Sequence, residues 1–374
     1  MSTQQAQRRI QVLSKHLGNT SISSSESPVI QRQFTSKSRG PPKSDDDIVI
    51  IAPCRTAVGR ARRGATKDAS AEQLLTPVLK AVIERSGIDP KLIDEVLIGK
   101  VLEMSLLGAN QVRIASLLAG IPDTASCSTV NRQCSSGLQS VASAAAAIKA
   151  GQYDIAIAGG VESMSKGSPE VPTMWNDRKI PEAINDKNAR DVYLPMLVTS
   201  ENVAAHYKIS RERQDEVSAE SHRRAAEAIK KGLFKEEIVP VELKVKDKDG
   251  TERTVVFDTD EGVRAGTTKE NLGKLKPIIS KPGCSTTAGN ASQVSDGAAA
   301  MLVMKRSTAR KLGLEDKVRG SFLSFVSVGV PPREMGIGPA VAIPIALKKA
   351  GVSVDDIDAF EINEAFASQY IYCA

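Results

Sequence analysis

Short runs of β-branched residues alternate with alanine-rich amphipathic stretches along this chain, and that alternation leaves few folds open. The succession runs Asp47–Ala52, Glu72–Ser86, Glu95–Ile98, Ser136–Ala150 and Asp154–Ala158. Runs of the first kind suit strands and stretches of the second suit helices, so the chain is expected to be α/β, with helices layered on sheets. A self-similarity sharpens this. Gly87-Ile88 follows a helical stretch and leads to Ile93-Asp94, Val96 and Ile98. Gly351-Val352 leads to Ile357-Asp358, Phe360 and Ile362 at an offset of 264 residues. Helix, glycine C-cap, loop and strand are thus written twice, which predicts two related halves; a chance match is the alternative. Only 11 residues follow Asn363, so the second half is expected to be truncated, its last residues forming the early turns of a helix.

The chain's 374 residues suit two or three domains, and 41% hydrophobic with 25% charged residues excludes global disorder. No run approaches the ~18 consecutive apolar residues of a membrane span. The formal charge of +6 invites a nucleic-acid reading, but its placement argues otherwise. Arg8, Arg9, Lys15, Arg32, Lys37, Arg39 and Lys43 face one acid, Glu26, within residues 1–43, which leaves 43 basic and 43 acidic residues in the body. A neutral body with 3% aromatic residues offers neither a phosphate-tracking surface nor a stacking platform. Five cysteines without a CxxC pair or a metal-ligand spacing read as a reduced intracellular protein with no metal.

Residues 1–43 are rich in Ser, Arg and Gln and are expected to be a disordered targeting leader. Arg9-Ile10, a five-residue gap and His16-Leu17 resemble a type 2 peroxisomal targeting signal, with Arg9, Leu13, His16 and Leu17 on one face of a short helix. This implies an import receptor as partner and the peroxisome as destination; a mitochondrial transit peptide is the alternative. Residues 44–163 and 284–308 read as the first core, 309–374 as the truncated second half. Residues 164–283 read as an inserted loop domain, with a charged helical stretch over Asn202 to Lys231 and a polar hairpin around Asp249-Gly250.

Cys134 sits in Asn131-Arg132-Gln133-Cys134-Ser135-Ser136-Gly137, a polar turn that runs directly into a helix. Unpaired N–H groups and the macrodipole at a helix start favour an anion there, so Cys134 is the candidate nucleophile. Cys54, Cys127, Cys284 and Cys373 lack that setting. A base is still wanted and none is visible: His16 lies in the leader, and His206 and His222 read as surface or packing residues of the charged stretch.

Four separated segments carry a family resemblance: Asn131–Leu138, Gly159–Ser165, Gly289–Ser292 with Asp296-Gly297-Ala298, and Asn363–Ala367. In this order they resemble the signature segments of thiolases, from about Asp47 to Ala374. The resemblance implies a layered αβαβα fold from two related halves, and a homo-oligomer, with a dimer as the expectation. It implies thiolytic cleavage of 3-ketoacyl-CoA to acetyl-CoA and a shortened acyl-CoA in fatty-acid β-oxidation, through an acyl-enzyme on Cys134. Coenzyme A is then a substrate, and no cofactor is implied. Asn363 matches an asparagine that helps hold an oxyanion-hole water, and Arg264 a contact to the nucleotide end. Leu275, Ser292, Met196 and Phe366 match substrate or coenzyme contacts. Pro195-Met196 points to the degradative branch, while Leu197 departs from a small glycine common in that segment. The family's Gly-His-Pro and Cys-Gly-Gly segments are missing. A non-catalytic subunit that binds CoA or pairs with an intact thiolase is therefore the alternative function, with a ketosynthase-type condensing enzyme as a more distant one.

Overall fold

β1 (Ile48–Arg55) starts the folded body, and its neighbours Ile48 and Val49, both fully buried, point to opposite sides of the sheet. A computed structural model describes residues 41–102, 107–167, 179–247 and 249–374, all within the unit Gly40–Ala374. The leader residues Arg9, Ile10, His16 and Leu17 lie outside the described residues. With β2 (Gly59–Arg60), β3 (Glu95–Gly99), β4 (Ser126–Val130), β5 (Ile155–Ser163), β8 (Ser295–Lys305) and β9 (Val318–Phe322), β1 forms a seven-stranded mixed sheet. Its order is β4-β3-β5-β8-β1-β9, and β2 pairs with β8. β3 runs parallel to β4 and β5, whereas β8 is antiparallel to both β5 and β1.

On one face Val49, Ile51, Val96, Ile98, Ile157, Leu302 and Met304 pack with α1 (Ala71–Ser86) and α2 (Gly108–Leu118). On the other, Ile48, Leu97, Ala156, Ala158 and Val303 pack with α3 (Ser136–Lys149) through Val141, Ala144, Ala145 and Ile148. Successive strand residues therefore feed opposite cores, and each large aliphatic buried there contributes about 1.5–3 kcal/mol. The small Ala156 and Ala158 meet an alanine-rich helix, so α3 can lie close to the sheet.

Residues 179–257 form α4 (Met196–His206), α5 (Arg211–Lys230) and the hairpin of β6 (Val241–Lys246) with β7 (Glu252–Phe257), among other short elements. Gly250, at φ +89°, turns that hairpin as its Asp-Gly pair predicts.

The two repeat copies agree closely in backbone up to their last element. Gly87 and Gly351 end α1 and α6 (Gly338–Ala350) in the left-handed conformation, at φ 71° and 70°. A 3₁₀ turn follows each, Pro90–Leu92 capped by Asp89 and Val354–Asp356 capped by Ser353. There the copies part. The first continues into β3, paired on both sides by β4 and β5, but residues 357–363 form no strand. A strand exists only through ladder bonds to neighbours, and among the described residues this segment has none. α7 (Ala367–Cys373) then ends the chain as the expected short helix. Among the described residues no helix is long and apolar enough to cross a membrane.

Candidate active site

The turn between β4 and α3 is built by its own polar side chains. Asn131 Oδ1 accepts the Gln133 N–H at 2.9 Å, and Ser136 Oγ accepts from Arg132 N at 2.9 Å while donating to the Gln133 carbonyl at 2.5 Å. Gln133 is thereby held at φ +49°, a left-handed conformation that costs a residue with a Cβ roughly 1–2 kcal/mol. This elbow delivers Cys134 to the carboxyl edge of the parallel strands, where open α/β sheets bind ligands. Of the five cysteines, Cys134 alone is exposed. Burial pushes the Cys54 thiol up to about 11, with Arg85 opposing it, so at neutral pH Cys54 is a protonated, inert thiol.

Glycines let α3 come this close. A Cβ on Gly99, the last residue of β3, would overlap the backbone of Ser136 and Gly137. One on Gly160 would lie 3.2 Å from Gly137 Cα. Ser140 Oγ donates to the Gly159 carbonyl at 2.6 Å, tying α3 to β5.

A separate cavity of about 690 Å³ opens between α5, the Glu261–Arg264 loop, the Gly289–Gln293 loop and the segment Glu361–Glu364. Arg264, Ser292 and Asn363, far apart in sequence, all line it. Its size suits a small-molecule ligand. Two loops clamp each other by backbone bonds: Ser292 N to the Ala365 carbonyl at 2.9 Å, and Ala367 N to the Asn290 carbonyl at 3.0 Å. Phe366 bridges to Ala291 between them, so it is positioned beside Ser292. Leu275 sits one layer back, its side chain and that of Leu272 closing on Gly289. Met196 is the first residue of α4 and is 44% exposed. Neither Met196 nor Cys134 is among the cavity's lining residues.

Asn290, in the Gly289–Ser292 segment, is a buried hub. Its Oδ1 accepts from Thr287 N at 2.7 Å, and its Nδ2 donates to Asp215 Oδ1 at 3.1 Å and to the Ser285 carbonyl at 3.0 Å. Asn290→Ala strands those partners in the interior and is expected to cost about 1–3 kcal/mol. That loss would be read as a lower urea midpoint at unchanged m-value; an unchanged midpoint would contradict the network.

His222 corrects the expectation of a surface or packing role. It lines the cavity, and its Nδ1 accepts the Arg264 N–H at 3.3 Å. Burial and the Arg264 charge hold its pKa below the usual histidine value, with Glu364 opposing. The signal was present in the spacing: Ser218, Ser221, His222 and Ala225 fall on one face of α5, and all four line the cavity. Ser221 Oγ also donates to Glu364 Oε2 at 2.5 Å, linking α5 to the segment of Asn363. His206 does lie at the surface, with Nδ1 2.8 Å from Glu334 Oε1. Among the described residues no group of three or more His, Cys, Asp or Glu is placed to hold a metal ion.

Comparison with known proteins agrees with this geometry. Residues 48–307 match the thiolase N-terminal domain and residues 316–374 the thiolase C-terminal domain. The chain is 50% identical over 329 residues to 3-ketoacyl-CoA thiolase 2, peroxisomal, of Arabidopsis thaliana, covering 88% of this chain and 70% of that one. It is 49% identical over 368 residues to 3-ketoacyl-CoA thiolase A, peroxisomal, of Rattus norvegicus, covering 98% and 82%. The 1.8 Å crystal structure of the dimeric peroxisomal thiolase of Saccharomyces cerevisiae superposes with a TM-score of 0.79 at 43% identity, covering 89% of this chain and 82% of that one. The peroxisomal location implied by the leader is the one these relatives carry in their names. Sequence, sheet order and cysteine elbow thus converge, and the chain belongs to the thiolase family of acyltransferases.

Proposed function

We propose that this chain acts on 3-ketoacyl-CoA thioesters, with Cys134 as the nucleophile and the cavity as the coenzyme A site. The Cys134 thiolate attacks the 3-keto carbon, the C2–C3 bond breaks, and the electron pair leaves on acetyl-CoA as an enolate that takes a proton. The thiol of a second CoA then attacks the thioester and releases an acyl-CoA two carbons shorter. A soft thiolate suits both halves, as a good nucleophile and a good leaving group. Asn363 supports the developing oxyanion through a held water. Arg264 receives phosphate, Ser292 faces the pantetheine arm, and Leu275, Met196 and Phe366 bound its apolar parts. A homodimer imported into the peroxisome by its leader completes the reading, which the dimeric yeast relative supports.

The observation that carries this reading is the exposed Cys134 on a left-handed elbow at the carboxyl edge of β4. A second reading, a subunit that binds CoA without turnover, is favoured by Cys134 lying outside the cavity walls. Intact-mass and peptide mass spectrometry after mixing with acetoacetyl-CoA decide between them. An acetyl adduct on Cys134 is expected; CoA binding without any adduct would establish the second reading instead.

A further inference from the structure

The cavity holds a cation that the family signature does not mark. Arg60, the last residue of β2, lines it together with Arg264. The two arginines lie about 200 residues apart in sequence, and a pair of adjacent acids staples their segments together. Glu261 Oε2 accepts from Arg60 N at 2.8 Å and its Oε1 from Ala65 N at 2.9 Å. The Glu261 N–H donates to the Val58 carbonyl at 2.9 Å, and its own carbonyl accepts from Gln293 Nε2 at 3.1 Å. Beside it, Asp260 holds Arg55 with two bonds of 2.7 and 2.9 Å and accepts from Val58 N at 2.8 Å. Gly262 follows at φ +90° and turns the chain towards Arg264.

Three acids also line the cavity, and two of them are already engaged. The Glu261 carboxylate faces backbone N–H groups, and Glu364 takes the Ser221 hydroxyl; Glu361 stands with Asn363 on the other segment. Among the described residues neither Arg60 nor Arg264 forms a salt bridge. Two unpaired guanidinium groups on one cavity match a ligand with two separate phosphate groups.

We infer that Arg60 is a second phosphate-recognising residue of this cavity, held in position by Glu261. The inference rests on the coenzyme A reading and deepens it, because coenzyme A carries a 3′-phosphate as well as a diphosphate. Glu261 is a positioning residue: its carboxylate acts through the backbone N–H of Arg60.

Isothermal titration of the full chain with coenzyme A, dephospho-CoA and pantetheine tests this. Arg60→Ala is expected to weaken coenzyme A about 5–50-fold and to leave pantetheine within about twofold. Glu261→Gln should give the same phosphate-selective loss, and combining it with Arg60→Ala should add little, since both act on one contact. Comparison with dephospho-CoA assigns Arg60 to the 3′-phosphate or to the diphosphate. Coenzyme A binding that ignores Arg60→Ala, or an equal loss for coenzyme A and pantetheine, would overturn the inference and leave the coenzyme reading standing. Failure of the unaltered chain to bind coenzyme A would remove both. If Glu261→Gln does not fold, the exposed Arg60 still decides the matter alone.

Discussion

Cys134→Ser is expected to lower acyl-enzyme formation by more than ~10³-fold while leaving coenzyme A affinity within about twofold. A serine hydroxyl stays protonated near neutral pH, so it loses the nucleophile while keeping nearly the same shape. The exposed side chain makes no contribution to either core, and surface substitutions of this kind usually stay within ~0.5 kcal/mol. The cavity is lined by other residues, so binding and chemistry should separate cleanly in this variant. Mass spectrometry of the acyl adduct gives the first quantity and titration calorimetry the second. An adduct that persists in Cys134→Ser on another residue would move the nucleophile elsewhere.

Gly99→Ala is expected to act on the same chemistry from a distance, through the helix. The added methyl meets the backbone of Ser136 and Gly137, so no flexible side chain can move aside to relieve the clash. Overpacking of this kind costs about 1–3 kcal/mol. The cheaper escape is a shift of the first turn of α3, which carries Cys134 with it, and a misplacement of ~1 Å can cost ~10²-fold in rate. Iodoacetamide should label Cys134 first among the five cysteines of the unaltered chain, and that lead should shrink in Gly99→Ala. Unchanged labelling together with an unchanged urea midpoint would mean that strand and helix are less tightly apposed than described here.

What was legible in the sequence follows from how local each feature is. The strands and helices of the first half could be read because runs of β-branched residues alternate with alanine-rich amphipathic stretches, and because Gly87 marks the end of α1. The Cys134 elbow was legible for the same reason: Asn131, Ser136 and the start of α3 lie within six residues of one another. The segment 357–363 misled because its residues suit a strand, and suitability does not supply a partner. His222 was missed because its role depends on which face α5 turns to the Gly289–Gln293 loop. Arg60 was missed because nothing in its own neighbourhood predicts a carboxylate from residue 261. Arg264, Ser292 and Asn363 were found only through family resemblance; their residue types alone would have passed for surface charge and turn.

The place of β8 in the sheet bears on how the protein is made. It lies between β5 and β1 and pairs with both, yet it spans residues 295–305. Until those residues leave the ribosome, β1 has no strand to join it to the parallel strands. At ~5–20 residues per second that interval lasts roughly 15–60 s. Such a nascent chain carries open strand edges over that interval, which makes it a natural client for chaperones until this one central strand arrives.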